Sequence, residues 1–458
     1  MGAEFYSALP ANPPADLALI IDNRELREQI GLTDEDLNNI QSYCLNPNAN
    51  DFDTFAMVYA GHQFGQFVNQ LGDGRGIFLG QTNHDYDLHL KGAGKTPYSR
   101  FGDGRAVLRS SIREYIASEV MNNLNIPSTR AVALFISEEK VLRDSYESSA
   151  VLLRSSQSHI RFGHFEFFHY RNESKQVKKL ADYAIENYCL FNESAEEPYV
   201  NFFQTIVQKT AQMISKWQGV GFCHGVMNTD NFSILGETFD YGPYAFMESL
   251  NPEFICNTSD YEGRYRYSNQ PYIGLWNCSA LGEALKTLIP EAKIEEILKT
   301  YEQEFSSNLR KIYLDKLGLT EHQPGDDELI QDYLSLINNE NLDYTQSFRS
   351  LVKIIQEEDL IEGSGSLEKW KKRFLKRHEF EKLDLKDRLD MMKSINPHIT
   401  PKNFQIQKVI DAVEKGNYEA LHSFCDAFKN PFEENSKTQV FDEVPSENEA
   451  NIRTSCSS

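Results

Sequence analysis

The most informative stretch of the 458-residue chain is GVGFCHGVMNTDNFSILGETFDYGP, residues 219–243. In it, Asn231 follows His224 at a spacing of seven residues, and a D-Y-G triplet begins at Asp240. Two short apolar runs separate Asn231 from this triplet and predict a small hairpin. The amide of Asn231 and the carboxylate of Asp240 are oxygen donors of the kind that bind hard metal ions.

The order of these residues matches a pattern of kinase-like enzymes, in which H-R-D-L-x-x-x-N is followed by D-F-G. Asn231 and Asp240 occupy its metal-binding positions, but the catalytic aspartate is replaced by Val226, which cannot accept a proton. Asp230 is the nearest carboxylate that could take over. The segment therefore predicts either an inactive nucleotide-binding scaffold or an enzyme with a different transfer reaction, and the retained metal-binding pair favours the enzyme.

A glycine-rich segment, QFVNQLGDGRGIFLGQ, occupies residues 66–81. Gly72, Gly74 and Gly76 separate two apolar runs, so two strands joined by a glycine turn are predicted. Such a hairpin resembles the phosphate-covering loop of kinases rather than the strand-to-helix turn of dinucleotide-binding folds. Glycine allows backbone amides to approach phosphates, and Arg75 adds a charged fork for the same oxygens. An ordinary hairpin turn is the alternative interpretation.

Residues 86–91, YDLHLK, alternate as a strand that ends on Lys91, as in the V-A-I-K strand of kinases. A helix is predicted over residues 105–124. Glu114 lies on its face of small and apolar side chains, where a buried carboxylate needs a cation, and Lys91 is the candidate. Glu119, on the opposite side of the helix, is the less favoured alternative, and an ordinary surface lysine is the alternative for Lys91.

The net charge of −22 argues against a general nucleic-acid or membrane-surface binder. Against this background residues 91–114 form a basic segment among glycines, which implies a polyanionic ligand. Its cationic residues are Lys91, Lys95, Arg100, Arg105, Arg109 and Arg113. Asp103 and Gly104 precede the predicted helix, where a side chain can cap it and free amides can meet phosphate. Arg154 and Arg161 flank a serine-rich turn and are further candidate phosphate ligands, with a pair of surface arginines as the alternative.

Composition and patterning predict a folded protein in three parts. Hydrophobic residues make up 40% of the chain, and seven scattered cysteines without a C-x-x-C pair argue against a zinc site. No targeting segment is recognised, so a cytoplasmic protein is expected. Helices are predicted over residues 200–218, 294–316 and 408–428. The three parts are residues 1–175 with the glycine loop, Lys91 strand and Glu114 helix; helical residues 176–430 with the catalytic and metal loops; and a mobile acidic tail, 431–458.

Four runs of the sequence resemble the selenoprotein O family, which includes the bacterial YdiU-type proteins. These runs are YAGHQFGQFVNQLGDGRG, HLKGAGKTPYSRFGDGRAVLRSSIRE, HGVMNTDNFSILGETFDYGPYAFME and the terminal TSCSS. The resemblance implies an α+β pseudokinase with a protein-kinase-like two-lobed fold. The N-lobe would contain a mixed sheet and a helix, and the mostly helical C-lobe would carry extra C-terminal helices.

The resemblance also implies an activity. AMP would pass from ATP to Ser, Thr or Tyr hydroxyls of proteins with release of pyrophosphate, and transfer of UMP from UTP is also ascribed to the family. ATP would bind flipped, with its α-phosphate toward the acceptor. Asp230 would accept the proton, Glu114 would pair with Lys91, and Asn231 and Asp240 would hold Mg²⁺ or Mn²⁺. The implied nucleotide ligands are Gly72, Gly74, Arg75, Lys91, Asp103, Gly104, Arg154, Arg161 and Asp240.

Two cysteines form a candidate redox pair. Cys256 lies where kinases have their activation loop, and Cys456 occupies the place of the selenocysteine found in some family members. Both are expected to be exposed, and we predict a reversible disulfide that positions or releases the activation segment. Two unrelated free thiols are the alternative. The family's mitochondrial members carry a transit peptide, which is not recognised here, so a bacterial cytoplasmic protein is expected.

The sequence leaves three functions open. The first is a protein adenylyltransferase that uses ATP and acts on protein partners. The second is a conventional protein kinase that works through Asp230, and the third is a non-catalytic ATP-binding scaffold. Neither a nucleic acid nor a membrane is expected as a partner.

Overall fold

The computed structural model is α+β, and it describes residues 2–47, 52–143, 145–192, 195–356, 365–441, 443, 452, 454 and 455. The strands are β1 (Tyr6–Ala8), β2 (Ala18–Asp22), β3 (Phe55–Met57), β4 (Gly61–Gln63), β5 (Gln66–Val68), β6 (Gly76–Gln81), β7 (Asp87–Lys91), β8 (Ala106–Val107), β9 (Arg130–Leu142), β10 (Tyr146–Ser156), β11 (Phe222–Cys223) and β12 (Ala245–Phe246).

The helices of the described residues alternate with these strands at first and then follow them. They are α1 (Arg24–Ile30), α2 (Asp34–Leu45), α3 (Leu108–Asn123), α4 (Phe162–His169), α5 (Ser174–Asn187), α6 (Pro198–Gly219), α7 (Gln270–Leu285), α8 (Glu291–Leu317), α9 (Asp326–Asn339), α10 (Tyr344–Gln356), α11 (Ser366–His378), α12 (Leu385–Ile395), α13 (Asn403–Glu414) and α14 (Glu419–Ala427).

One antiparallel sheet organises the first part of the chain. Its strands follow one another in the order β1, β3, β6, β7, β10, β9 and β2, and β8 pairs with β10. Alternate side chains of β10 point to opposite faces, as a strand requires. Val151 and Leu153 join the core formed with α1 and α2, whereas Ala150 and Leu152 join a second core with α3. That second core continues into α4–α8, α13 and α14, so the sheet and the later helices pack against each other.

Two of the predicted helices are confirmed, and two others have different bounds. The helices predicted over residues 200–218 and 294–316 are α6 and α8, and Gly318 caps the end of α8 in a left-handed conformation. The helix predicted from residue 105 begins later, at Leu108, because Ala106 and Val107 pair with β10 instead. The single helix predicted over residues 408–428 is wrong, because Gly416, with φ of 85°, separates α13 from α14.

The hairpin predicted across the glycine-rich segment is also wrong. β5 pairs with β4, whereas β6 pairs with β3 and β7. The loop between β5 and β6 runs beside the end of β3 and the residues that follow it. Leu71 N donates to Tyr59 O at 2.7 Å, and Asp73 N donates to Met57 O at 3.0 Å. These backbone bonds join segments that are distant in sequence, so local periodicity does not reveal them.

The described residues of the acidic C-terminal segment contact the folded body. His398 N donates to Pro431 O at 2.8 Å, and the Phe441 ring lies 5.1 Å from that of Phe424. Near the terminus, Thr454 pairs with Asn257 as an isolated parallel bridge. Within the described ranges, no helix is both long and apolar enough to cross a membrane.

Lys316, in the last turn of α8, is a buried ammonium group. Its Nζ donates to Asn396 Oδ1 at 3.3 Å and lies 4.5 Å from the centre of the Phe348 ring. Burial lowers the pKa of Lys316 to about 7. The unfolded chain keeps an ordinary lysine pKa, so between about pH 7 and pH 10 it binds more protons than the folded chain. The stability of the folded protein therefore gains from this group as the pH rises through that range.

Replacement of Lys316 by methionine is expected to remove this pH dependence. The Tm of Lys316→Met relative to wild type should rise by a few degrees as the pH is lowered from about 10 to 7. Thermal denaturation at several pH values measures the difference. Lys311→Met, on the exposed side of the same helix, is the matched control and should show no such trend. A constant difference between Lys316→Met and wild type at all pH values would contradict the assignment.

Candidate active site

A cavity of about 790 Å³ lies between the glycine-rich loop, the end of β7 and the segment that includes residues 226–243. Segments that are far apart in sequence supply its walls. Every residue that the sequence predicts to bind nucleotide, metal or proton lines it: Gly72, Gly74, Arg75, Lys91, Asp103, Gly104, Glu114, Arg154, Arg161, Asp230, Asn231 and Asp240.

Lys91 and Glu114 meet at one wall of this cavity. Lys91 Nζ donates to Glu114 Oε2 and lies 3.6 Å from Asp240 Oδ1. Arg154 contacts the other oxygen of Glu114 at 3.1 Å, so this buried carboxylate has two cationic partners. Glu119, the alternative partner in the sequence, instead forms an ion pair with Arg130 at 2.6 Å.

Asp240 is the centre of the charged cluster. Arg154 Nη1 donates to its Oδ1, and Arg161 Nη1 donates to its Oδ2. Burial alone would raise the pKa of Asp240, but the charges of Arg161, Arg154 and Lys91 hold it well below its usual range. The residue has a φ of 53°, a left-handed conformation that costs energy for a residue with a Cβ atom. The three cations therefore converge on one carboxylate held by a strained turn.

Asp230 is a buried carboxylate with a different environment. Gln63 Nε2 donates to its Oδ2 at 3.3 Å, and Arg161 donates to its main-chain oxygen at 2.9 Å. Burial raises the pKa of Asp230 to about 7, although Arg161 and Gln63 act in the opposite direction. Val226 also lines the cavity, so the position of the missing aspartate does face the site. A carboxyl group with a pKa near 7 is suited to exchange protons at neutral pH.

Asn231 contributes an amide group to the same cavity. Its Nδ2 donates to Val226 O at 3.1 Å, which leaves the amide oxygen as the atom that a ligand can use. His224 is buried, and its Nε2 lies 3.0 Å from Phe239 O, so it joins the start of this segment to the residue before Asp240. The predicted hairpin is reduced to one antiparallel bridge between Phe232 and Thr238. Among the described residues, no three His, Cys, Asp or Glu side chains are grouped as a metal site.

The glycine-rich loop packs tightly against the segment that follows β7. A Cβ atom on Gly72, which has a φ of 142°, would lie 2.7 Å from Met57 O and closer still to the Tyr98 ring. Gly74 is covered by the main chain of Tyr98, and Ser99 Oγ donates to Gly74 O. Only glycine fits this close approach at position 72.

The basic segment divides between the cavity and the scaffold. Arg100 and Arg105 line the cavity with Lys91. Arg109 instead forms an ion pair with Glu147 at 3.0 Å, and the buried Arg113 donates to Tyr244 O at 2.7 Å. Two further candidate nucleotide ligands, Arg75 and Asp103, lie at the rim of the cavity. Arg75 is exposed there, and Asp103 forms an ion pair with Arg143 at 2.7 Å. The expectation that the whole segment serves one anion is therefore wrong for Arg109 and Arg113.

Two cavity residues that the sequence did not single out, His89 and Asp73, lie next to Arg154 and Arg161. His89 Nδ1 accepts from Arg154 Nε at 3.3 Å, and burial lowers the pKa of His89 to about 3, so it is neutral. Asp73 is buried in the glycine-rich loop, 3.4 Å from His89 and 3.9 Å from Arg161. In the sequence, only two features pointed to these residues: Asp73 lies between two glycines, and His89 lies on the inward face of β7.

The structure corrects one expectation about the cysteines. Cys256 is buried, not exposed, and its Sγ donates to Cys223 O at 3.4 Å. Burial raises the pKa of the Cys256 thiol well above its usual value. The other member of the predicted redox pair, Cys456, lies outside the described residues.

An α+β protein whose cavity combines converging cations with a buried carboxyl group of raised pKa has the layout of a group-transfer enzyme for an anionic substrate. The family model described as "Protein adenylyltransferase SelO" matches residues 1–429. The chain belongs to this family of enzymes.

Curated relatives agree with this assignment. "Protein nucleotidyltransferase YdiU" of Vibrio cholerae is 40% identical over 99% of this chain and 96% of the relative. The proteins with the same name from Enterobacter sp. strain 638 and Pseudomonas entomophila are 40% and 43% identical, over 99% and 89% of this chain and 97% and 86% of the relatives. The similarity thus includes the whole candidate site.

Proposed function

We propose that this protein transfers AMP from ATP to Ser, Thr or Tyr hydroxyl groups of proteins and releases pyrophosphate. The main support is the convergence of Lys91, Arg154 and Arg161 in a cavity that also contains Asp230. Several fixed cations suit a triphosphate, and a carboxyl group with a pKa near 7 suits a hydroxyl that must lose its proton.

The proposal includes a flipped nucleotide, with the α-phosphate facing the acceptor near Asp230. Its support is the burial of the cations: Arg154 and Arg161 are 4% and 2% exposed, whereas Arg75 is exposed at the rim. Phosphates directed inward would bring negative charge to the buried guanidinium groups beside Asp240, whereas a base in that place would bring no charge that complements them. Gly72, Gly74, Asp103 and Gly104 would contact the nucleotide nearer the rim.

The proposed fold is a protein-kinase-like pseudokinase. Residues 1–175 would form its N-lobe, residues 176–430 its C-lobe, and residues 431–458 a tail. The order of the Lys91–Glu114 pair, Asn231 and the D-Y-G triplet along the chain supports it, as does the antiparallel sheet that precedes the helices.

In the proposed reaction, the acceptor oxygen forms a bond to the α-phosphorus as the bond to the bridging oxygen of the β-phosphate breaks. The hydroxyl proton passes to the carboxylate of Asp230, and pyrophosphate leaves with the electron pair. Lys91, Arg154 and Arg161 stabilise the negative charge that develops on the phosphate oxygens. The scaffold contributes by positioning the two reactants, because little other chemistry is needed.

Asn231 and Asp240 would hold the divalent cation, Mg²⁺ or Mn²⁺. The amide oxygen of Asn231 and the carboxylate of Asp240 are hard donors that line one cavity, and they suit a cation that takes its other ligands from phosphates and water. When bound, such a cation neutralises phosphate charge.

The partners in this proposal are a nucleotide and proteins with hydroxyl acceptors, in the cytoplasm of a bacterium. ATP is the proposed donor because the family description specifies adenylyl transfer. UTP is the alternative donor, since the bacterial relatives have the broader name of nucleotidyltransferase.

A disulfide between Cys256 and Cys456 is proposed as a redox control. Thr454 Oγ1 donates to Cys256 O at 2.8 Å, so the chain close to its C-terminus reaches the segment that contains Cys256. Non-reducing peptide mapping after mild oxidation should recover the two cysteines as one linked pair. Recovery of both as free thiols would contradict this control.

Labelled nucleotides test the proposed function directly. The purified protein is incubated with Mg²⁺, a bacterial lysate freed of nucleotides, and ATP labelled at either the α- or the γ-phosphate. Protein-bound label is expected from α-labelled ATP only, and a parallel reaction with α-labelled UTP compares the two donors. Label from γ-labelled ATP alone would indicate a kinase. No label, with ATP still raising the Tm, would indicate a scaffold.

A further inference from the structure

The hairpin formed by β4 and β5, residues 61–68, lies directly on the segment that contains Asp230. The proposed reaction gives this hairpin no role. Nevertheless its main chain and one side chain bind three consecutive residues of that segment. The hydrogen bonds run from His62 N to Thr229 Oγ1 at 2.7 Å, from Phe64 N to Asn228 Oδ1 at 3.2 Å, and from Gln63 Nε2 to Asp230 Oδ2 at 3.3 Å.

The hairpin itself is well anchored. His62 Nδ1 forms a short hydrogen bond with Oε1 of the fully buried Glu166. Tyr265 OH accepts from Phe64 N at 2.9 Å and donates to Asn228 Oδ1 at 2.7 Å. Gln63 is therefore presented from a rigid element rather than from a free loop, as an accurate orienting contact requires.

The two oxygens of Asp230 have different surroundings. Oδ1 is buried and has no hydrogen-bond partner among the described residues. It faces Gly61, where a Cβ atom would lie only 2.6 Å from it. Oδ2 is the oxygen that Gln63 contacts, and both Gln63 and Asp230 line the cavity. Since Oδ1 is enclosed, Oδ2 is the oxygen that an acceptor hydroxyl can approach.

We propose that Gln63 is a positioning residue for nucleotide transfer: its side-chain amide fixes the rotation of the Asp230 carboxylate, so that Oδ2 faces the acceptor hydroxyl. The proposal rests on the proposed function, in which Asp230 receives the proton. Gly61 complements Gln63, because the absence of a side chain leaves room for Oδ1. A carboxylate oxygen has two lone pairs, so Oδ2 can accept from Gln63 and from the hydroxyl together.

Methionine at position 63 keeps the length of the side chain and removes the donor. In steady-state transfer of α-label from ATP to casein, Gln63→Met should lower kcat by about tenfold to a hundredfold, the scale of a misaligned reactant. The KM for ATP and the rise in Tm caused by ATP should stay within about twofold of wild type, because the phosphate-binding cations are unchanged. A purely structural role for Gln63 would not separate kcat from ATP binding in this way.

Gln66→Met is the matched control, because Gln66 pairs with Gln63 across the same hairpin but is exposed. It should retain wild-type kcat. If Gln63→Met does not fold, Gln63→Leu replaces it, since leucine also lacks a donor and adds no charge beside Asp230. A kcat within twofold of wild type, or an equal loss of kcat and ATP affinity, would overturn the proposal. Wild-type protein that transfers no α-label would instead refute the proposed function itself.

Discussion

Replacement of Asp240 by alanine is expected to abolish nucleotide transfer, to at least a thousandfold below wild type, and to lower the Tm in the absence of nucleotide. The carboxylate of Asp240 forms ion pairs with Lys91, Arg154 and Arg161. The side chains of these three residues are only 13%, 5% and 2% exposed. Removal of one member of a buried ion-pair network costs about 3–5 kcal/mol, because the remaining charges stay desolvated. Transfer fails because the same residue is the proposed metal ligand.

ATP should restore most of the stability that Asp240→Ala loses. With the carboxylate gone, the triphosphate becomes the anion for all three cations, so ATP without added metal should raise the Tm of the variant more than that of wild type. Thermal denaturation with and without ATP and EDTA measures this difference, and α-label measures transfer.

Asp326→Ala provides the matched control for Asp240→Ala. Asp326 is a buried carboxylate that forms an ion pair with Arg377 at 2.5 Å, outside the cavity. This variant should also lose stability, but ATP should raise its Tm no more than it raises that of wild type. An ATP effect on Asp240→Ala that is no larger than the effect on wild type would show that the three cations do not bind the triphosphate.

Replacement of Asp230 by asparagine is expected to lower kcat by about a hundredfold to ten-thousandfold, with the KM for ATP nearly unchanged. Asparagine keeps the shape of the side chain but cannot take the hydroxyl proton. The wild-type rate should fall as the pH drops below about 7, because burial raises the pKa of Asp230 to about 7 and only the ionised form accepts a proton. The variant should lack this pH dependence.

The stability of Asp230→Asn should change in the opposite direction. In the unfolded chain, an aspartate ionises near pH 4, whereas the folded chain keeps this proton up to about pH 7. The folded state therefore loses stability as the pH rises through this interval, and the loss persists above it. At pH 8 the neutral asparagine variant should have a Tm a few degrees above wild type.

Glu237→Gln tests whether these effects belong to Asp230. Burial also raises the pKa of Glu237 to about 7, and Ser156 Oγ donates to its Oε2 at 2.6 Å, but it does not line the cavity. Its replacement should leave kcat and the pH dependence of the rate as in wild type. If the pH dependence disappears in Glu237→Gln and remains in Asp230→Asn, the assignment of the proton acceptor is wrong.

Local patterns predicted the elements that depend on local interactions. The helices α6 and α8 followed from apolar residues at three- and four-residue spacing, because one buried face decides a long helix. The strand that ends on Lys91 was predicted from the alternation of polar and apolar side chains along residues 86–91. The partners of the glycine-rich loop could not be predicted, because Leu71 and Asp73 bond to main-chain groups more than ten residues away.

Chemical identity predicted which residues meet in the cavity but not how each one is used. The basic segment predicted an anionic ligand because it is unusual in an acidic chain. Two of its residues, Arg109 and Arg113, instead have partners outside the cavity. Gln63 carried no visible signal, and the only signal for His89 was its place on the inward face of β7. Their significance depends on the atoms opposite them, Asp230 Oδ2 and Arg154 Nε.

The sequence by itself determined the inventory and order of the reactive groups: a lysine at a strand end, a helix glutamate, two arginines, and Asp230, Asn231 and Asp240 in one short segment. Only the tertiary structure decided their charge states and pairings. Asp230 and Asp240 are aspartates of the same short segment, yet the pKa of one is raised and that of the other is lowered. The physical reason is that a pKa depends on desolvation and on charges a few ångströms away in space, and Arg154 reaches Asp240 from 86 residues earlier in the chain.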